Sequence, residues 1–192
     1  MPNKKIKILS FDPGLTKAGW SFSEYDTTSR IYTVIKFGTI TPNTTAAKAL
    51  NRDAVNIFGK RVIALRILRE AVDLLVKQYK PDFIATEDAF YNPRTPNAYG
   101  SLLTWIVTVE NFMYSEFKMP IYRIAPKLAK HNISGDGTSG KLSVQDAVVN
   151  HSNIKFRANL PVLDMCEHEA DSIAIGWSFV YSILPNLTFS CN

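Results

Sequence analysis

The stretch Ile6-Lys7-Ile8-Leu9-Ser10-Phe11-Asp12-Pro13-Gly14-Leu15-Thr16-Lys17-Ala18-Gly19 decides the fold. Lys5 to Phe11 reads as a buried strand. It stops at a carboxylate, Asp12, that opens a Pro-Gly turn. Gly19 to Tyr25 alternates large and small residues, as a half-buried strand does. Ile31 to Thr39 supplies a third strand, with Ile31, Val34, Ile35 and Phe37 as its apolar content. The short turns between them predict an antiparallel meander. A carboxylate fixed at the end of a buried strand is well placed to hold a metal ion, or to face a phosphate.

Working outward, the pattern changes from strands to strands alternating with helices. Pro42 to Asn51 is polar and small, which predicts a loop. Phe58, Val62, Leu65, Leu68, Val72, Leu75 and Tyr79 recur at steps of three and four, so Ala54 to Tyr79 is expected to be one amphipathic helix. Pro81 marks its end. Phe83 to Thr86 is a short buried strand ending at Glu87. A loop, Asn92 to Pro96, leads to a helix that Asn97 is expected to cap and that runs to Phe117. That helix is apolar on most sides, which suits the centre of a core or a subunit interface. Ile121 to Ile124 is a further strand. A short helix from Pro126 carries Lys127 and Lys130, and the loop Gly135 to Lys141 is followed by a helix, Leu142 to Asn150. Asn153 to Leu160 reads as irregular, and Glu167 to Leu184 as the last helix, stopped by Pro185. The order predicts an α/β layer fold: a mixed five-stranded sheet, three strands as a meander and then parallel strands, with helices on both faces.

The 192 residues are 46% hydrophobic, enough for one domain, 1–192, with a real core. The longest apolar stretch, Ile173 to Leu184, is shorter than the roughly 20 residues of a membrane span. The apolar run behind Met1 ends too soon for a signal peptide, so a cytoplasmic protein with no membrane partner is expected. The two cysteines, Cys166 and Cys191, make neither a disulfide framework nor a zinc site; Cys166 is expected to be buried. The net charge is +5, and residues 118–160 hold seven basic and two acidic side chains, so this segment carries the whole excess. A local basic surplus beside glycine-rich turns suits a phosphate backbone, and equally an ordinary solvated face.

Asp12 and Glu87 share a design, each following an apolar strand and preceding a loop. If the two strands are neighbours, both carboxylates lie at the end of the sheet where α/β folds place their sites. On the last helix, His168 and Asp171 are three apart and Glu167 and Asp171 four apart, so either pair can share a face. Asp171 borders the apolar set Ile173, Ala174, Ile175 and Trp177, and a carboxylate there wants a partner. Glu169 points elsewhere and suits the helix N-terminus. Such an oxygen-rich cluster, with one imidazole, suits Mg²⁺ or Mn²⁺. Two such ions roughly 4 Å apart can activate a water and stabilise the leaving oxygen in phosphodiester hydrolysis. No Gly-x-Ser-x-Gly turn for a serine nucleophile is present.

The pattern resembles the RuvC-type Holliday junction resolvases of the RNase H-like superfamily, including virus- or phage-encoded members. Phe11-Asp12-Pro13-Gly14 with Gly19-Trp20 is similar to the first strand and turn of that family. Ile84-Ala85-Thr86-Glu87-Asp88-Ala89-Phe90 is similar to its second acidic motif. Ala125-Pro126-Lys127, Gly135-x-Gly137, Lys141 and Val144 resemble its DNA-binding segment, and His168-Glu169-Ala170-Asp171-Ser172-Ile173-Ala174-Ile175 its final helix. The resemblance implies an RNase H-like nuclease that cuts four-way or branched DNA, leaving 5′-phosphate and 3′-hydroxyl ends. It implies Asp12, Glu87, His168 and Asp171 as ligands of two Mg²⁺ (or Mn²⁺) ions. Many members carry Asp where this chain has His168, and Glu167 is an alternative ligand. It implies Phe90, or Tyr91 in its place, as the aromatic that stacks on bases, and Lys141 as a catalytic residue near the scissile phosphate. Arg94, Lys127 and Lys130 are expected on nearby phosphates. A homodimer is implied too, with the helix from Asn97 to Phe117 as its interface. Three other readings remain open from the residues: a nuclease for other structured DNA or RNA, a non-catalytic DNA-binding module, and an actin-like ATPase or kinase. The last would need a second phosphate loop. Thr41 to Asp53 carries no motif with a function.

Overall fold

The computed structural model describes residues 5–42, 52–91, 93 and 96–187, the side chains of Pro96 and Lys141 excepted. Strands β1 (Lys5–Asp12), β2 (Ala18–Asp26) and β3 (Ile31–Ile40) form the expected antiparallel meander. Helices α1 (Arg52–Phe58) and α2 (Lys60–Tyr79) follow, then β4 (Phe83–Glu87), α3 (Pro96–Phe117), β5 (Ile121–Ile124), α4 (Pro126–Ser134), α5 (Lys141–Asn150), β6 (Ile154–Phe156) and α6 (Glu167–Ser178). One sheet holds all the strands in the order β5-β4-β1-β2-β3-β6, with β4 parallel to β1 and β5 parallel to β4.

Alternation along the strands sends two different cores to the two faces. Leu9, Phe11, Phe22 and Ile84 pack against Leu68, Val72 and Val76 of α2 and Trp105, Ile106, Val109 and Met113 of α3. Ile6, Ile8, Tyr32, Val34 and Ala85 pack against α4, α5 and α6. This second face carries small residues under α6: Ser10, Ser21 and Ser23 are all buried, and Gly19 and Gly176 lie at the contact. Small side chains let the helix backbone come close to the sheet. At Gly176 a Cβ would lie 2.0 Å from the Tyr32 hydroxyl and 2.6 Å from Ser10 Oγ.

Several expectations are corrected. The sheet has six strands, because Ile154–Phe156, read as irregular, pairs in parallel with Tyr32–Val34 of β3. Three residues around a lysine are too short to show a strand period. The expected single helix over 54–79 is two, broken at Gly59, whose φ of 82° a helix cannot hold. Phe58 and Val62 are consequently 61% and 52% exposed, and the buried stripe of α2 is Ile63, Ala64, Leu68, Val72 and Val76. Asn97 lies inside the first turn of α3, since the helix begins at Pro96, a residue suited to a first helical position. The last helix is regular only to Ser178 and continues as a π turn, Phe179–Ile183, and a 3₁₀ turn, Leu184–Asn186. Cys166 is half-buried and caps α6. The Pro42–Asn51 loop lies almost wholly outside the described residues, as does Cys191.

Candidate active site

Parallel pairing places two carboxylates side by side. Phe11 of β1 is registered with Thr86 of β4, and each is followed by an acid, Asp12 and Glu87, in the last position of its strand. Asp12 continues the Ile6-Ile8-Ser10 side of β1, and Glu87 the Ala85 side of β4. Both therefore face the layer that holds α6. Behind Asp12 the chain turns tightly; a Cβ on Gly14 would lie 2.2 Å from the Lys17 carbonyl oxygen. Across the meander, Asp12 is paired with Gly19.

Helix α6 brings the remaining groups. Its N-terminus is a capping box: the Cys166 amide donates to Glu169 Oε2 at 2.7 Å, and the Cys166 side chain accepts from the Glu169 amide. Glu169 is thus spent on the helix, as its position in sequence predicts. One turn of the helix then presents His168 and Asp171 to the strand ends. His168 Nδ1 lies 2.6 Å from Asp12 Oδ2, and its Nε2 lies 3.7 Å from Glu167 Oε1. The bond to Asp12 raises the imidazole pKa, against the effect of burial and of nearby Lys17.

Burial pushes the Glu87 carboxyl up to about 8, and the charges of Asp12 and Asp171 push in the same direction. Burial, then Asp12, pushes Asp171 up to about 6. Lys130 of α4 opposes the shift at both residues. Asp12, Glu87 and Asp171 thus form one interacting cluster, with His168 on its edge and Lys130 facing it. Among the described residues, no three His, Cys, Asp or Glu side chains converge as a closed ligating group; Asp12 is engaged by the His168 ring. The donor set nevertheless fits a hard divalent cation. Buried acids whose pKa values neighbouring carboxylates raise further gain from positive charge placed among them, and carboxylate oxygens suit Mg²⁺ or Mn²⁺.

The surrounding residues are placed unevenly. Phe90 and Tyr91 follow Glu87 and are 51% and 63% exposed, so neither is a core residue. Lys127 is exposed near the start of α4. Lys130 Nζ donates to the Ser139 carbonyl at 3.1 Å, tying α4 to the loop before α5; it faces the acids as well as that loop, more than a phosphate contact alone would require. Lys141 opens α5, but its side chain lies outside the described residues, as does Arg94 altogether. Sequence reading missed Lys17, which sits in the turn directly behind Asp12 and acts on His168. It also missed the ion-pair network of Arg123 with Asp88 and Glu110. Lys17 was findable from its turn, whereas the network joins elements that only the tertiary fold brings together.

No family model matches the chain. The crossover junction endodeoxyribonuclease RuvC of Thermosipho melanesiensis is 28% identical over 174 residues, spanning 90% of this chain and 95% of that protein. The RuvC of Fusobacterium nucleatum is 24% identical over 184 residues, spanning 96% and 85%. Among solved structures, Thermus thermophilus RuvC in complex with Holliday junction substrate superposes with a TM-score of 0.62 at 18% identity, covering 92% of this chain and 93% of that one. The fowlpox virus Holliday junction resolvase superposes with a TM-score of 0.54 at 15% identity, covering 91% and 97%. At such identities the structural likeness is one of fold, an RNase H-like layer of helices on both faces of a mixed sheet. Among the described residues no helix is long and apolar enough to cross a membrane.

Proposed function

We propose that this chain, RuvC-like in sequence and fold along nearly its whole length, is a metal-dependent endonuclease that resolves Holliday junctions. The observation that carries the reading is the parallel pairing that sets Asp12 and Glu87 side by side at one end of the sheet, with His168 of α6 bonded to Asp12 and Asp171 one turn on. Asp12, Glu87, Asp171 and His168 would hold two Mg²⁺ or Mn²⁺ ions, which when bound lower the pKa of a water and offset charge on the leaving oxygen. The residues of the chain supply the frame. Parallel pairing of β1 with β4 aligns two carboxylates, and the capping box fixes the turn of α6 that carries the third. His168 holds Asp12 in place through Nδ1. Lys130 supplies positive charge beside Glu87 and Asp171, favouring their ionised forms at neutral pH. In the reaction a water oxygen bonds to phosphorus, the bond from phosphorus to the 3′-oxygen breaks, and that oxygen takes up a proton. The products carry 5′-phosphate and 3′-hydroxyl ends.

Recognition of a four-way junction rests on shape and phosphates more than on base edges. Lys127 is exposed near the start of α4, and Lys141 and Arg94 belong to the same basic set. Phe90 and Tyr91 are exposed and would stack on bases opened at the crossover, each stack worth roughly 1–3 kcal/mol. Resolution needs two symmetric cuts, which a homodimer supplies. Helix α3 suits the contact: Val107 is 41% and Tyr114 70% exposed. A cytoplasmic location belongs to the same reading.

The deciding experiment is cleavage of a synthetic four-way junction with mapped cut sites, with and without Mg²⁺, beside three-way, flap and RNA substrates. Paired symmetric nicks on the four-way junction, dependent on the metal, are expected. Preference for RNA or flaps removes the resolvase reading, and metal-independent cutting removes the ion centre.

A further inference from the structure

Arg123 joins three parts of the molecule that flank Glu87. It lies on β5, where Thr86 is registered with Arg123 and Glu87 with Ile124. Its guanidinium forks onto α3: Nε donates to Glu110 Oε1 at 2.7 Å and Nη2 to Glu110 Oε2. The remaining nitrogen, Nη1, lies 3.6 Å from Asp88 Oδ1. Asp88 is the residue directly after Glu87, and its amide donates to the Ile124 carbonyl at 2.8 Å. Beyond it the backbone leaves the sheet, and Ala89 to Tyr91 belong to no helix or strand. Those residues carry the two exposed aromatic rings. The second tie of this segment to α3 is an edge contact of Tyr91 with Tyr99, centroids 5.9 Å apart.

The network is partly exposed: the Arg123, Asp88 and Glu110 side chains are 35%, 43% and 28% exposed, so solvent screens it and limits what it adds to folding. Its geometry is demanding all the same, since a planar fork is needed to hold one carboxylate by two bonds and reach another. Asp88 stands where a short irregular segment leaves the sheet. We propose that Arg123 is a positioning residue: by clamping Asp88 to Glu110 it fixes the Phe90–Tyr91 segment against α3, at a set reach from Glu87. The proposal rests on the resolvase reading for what the aromatic rings do. It also makes α3, the helix suited to subunit contact, a fixed support for the aromatic segment.

The test compares wild type with Arg123→Gln, Arg123→Lys and Glu110→Gln. Three readouts are taken: hydrogen exchange of the peptide spanning 88–91, fluorescence of 2-aminopurine placed at the junction centre with Ca²⁺ in place of Mg²⁺, and single-turnover cleavage. In all three variants exchange at 88–91 is expected to rise while the melting temperature stays near wild type. Junction affinity should fall by less than about 10-fold, because the phosphate contacts that supply most of it remain. The unstacking signal and the cleavage rate should both fall by about 10-fold, the scale of one lost base stack. Arg123→Lys should not rescue, because it lacks the fork. Wild-type protection and unstacking in Arg123→Gln overturn the proposal, and full rescue by lysine reduces the role to charge alone and overturns it too. If Arg123→Gln does not fold, Glu110→Gln decides by the same readouts. If wild type neither opens nor cuts the junction, the resolvase reading falls, while the exchange comparison still decides whether the clamp orders the segment.

Discussion

Gly19 lies flat against the carbonyl of His168: a Cβ there would stand 1.9 Å from the carbonyl oxygen and 2.4 Å from its carbon. The contact is backbone against backbone, so no rotamer change can relieve it. Gly19 is also the β2 partner of Asp12. One missing side chain therefore sets how near the first turn of α6 comes to the end of β1, and with it the bond from His168 to Asp12.

Gly19→Ala is accordingly expected to push the start of α6 off the sheet. Overpacking of this kind costs about 1–3 kcal/mol, and displacement of His168 and Asp171 from the strand ends should cost about 100-fold in cleavage. Thermal melting and single-turnover cleavage check both. Near wild-type cleavage would show that α6 can shift without harm to the site.

Burial raises Glu87 and Asp171 most, and Asp12→Asn removes the charge that raises both further. Junction binding should persist and cleavage should fall by about 1,000-fold or more, as for loss of a principal catalytic group. A second readout is independent of turnover. NMR titration of Glu87 in the metal-free protein should move toward the ordinary carboxylate range. An unchanged Glu87 titration removes Asp12 from the cluster.

Metal-free stability should fall as pH rises across the neutral range. Glu87 has a folded value of about 8 against an ordinary 4.5, and Asp171 about 6 against 3.8. The folded chain thus binds more protons than the unfolded one between those limits, which favours folding at low pH and is lost as pH rises through the folded values. His168, raised by Asp12, acts in the same direction above its ordinary 6.5. His151, lowered by burial, has the opposite sign, but only below 6.5. Denaturant midpoints between pH 6.5 and 8.5 in a chelator should therefore decline. Saturating Mn²⁺ should flatten or reverse the slope, since bound cations favour the ionised acids. A flat metal-free profile would place these carboxyls in an ordinary solvated setting.

The second close approach is testable by a pair of substitutions. Gly176→Ala sets a methyl against the Tyr32 hydroxyl, a group buried between the Ser10 and Ser23 side chains whose pKa burial pushes up to about 12. The single variant should lose about 1–3 kcal/mol. Tyr32→Phe removes the clashing oxygen, so the double variant should be more stable than the sum of the singles by at least about 0.5 kcal/mol. Simple additivity in urea melts would place the alanine methyl elsewhere.

The meander, the short strand ending at Glu87 and the helix face shared by His168 and Asp171 were legible in the chain alone. Those features are local. A strand announces itself by its period, a strand end by an acid before a turn, and a shared helix face by a spacing of three. What the tertiary structure alone decided depends on residues far apart in sequence. Registering Phe11 with Thr86 put two acids on the same side of the sheet; no local pattern states a register between strands 75 positions apart. The β6 strand exists only because β3 offers its edge, and Gly59 breaks a helix whose apolar period runs on past it. Arg123, Asp88 and Glu110 look like ordinary surface charges until β5, the end of β4 and α3 are folded together. Periodicity and spacing report on neighbours along the chain, while pairing, close backbone contact and ion networks come from free-energy balances between distant segments, which only the folded chain expresses.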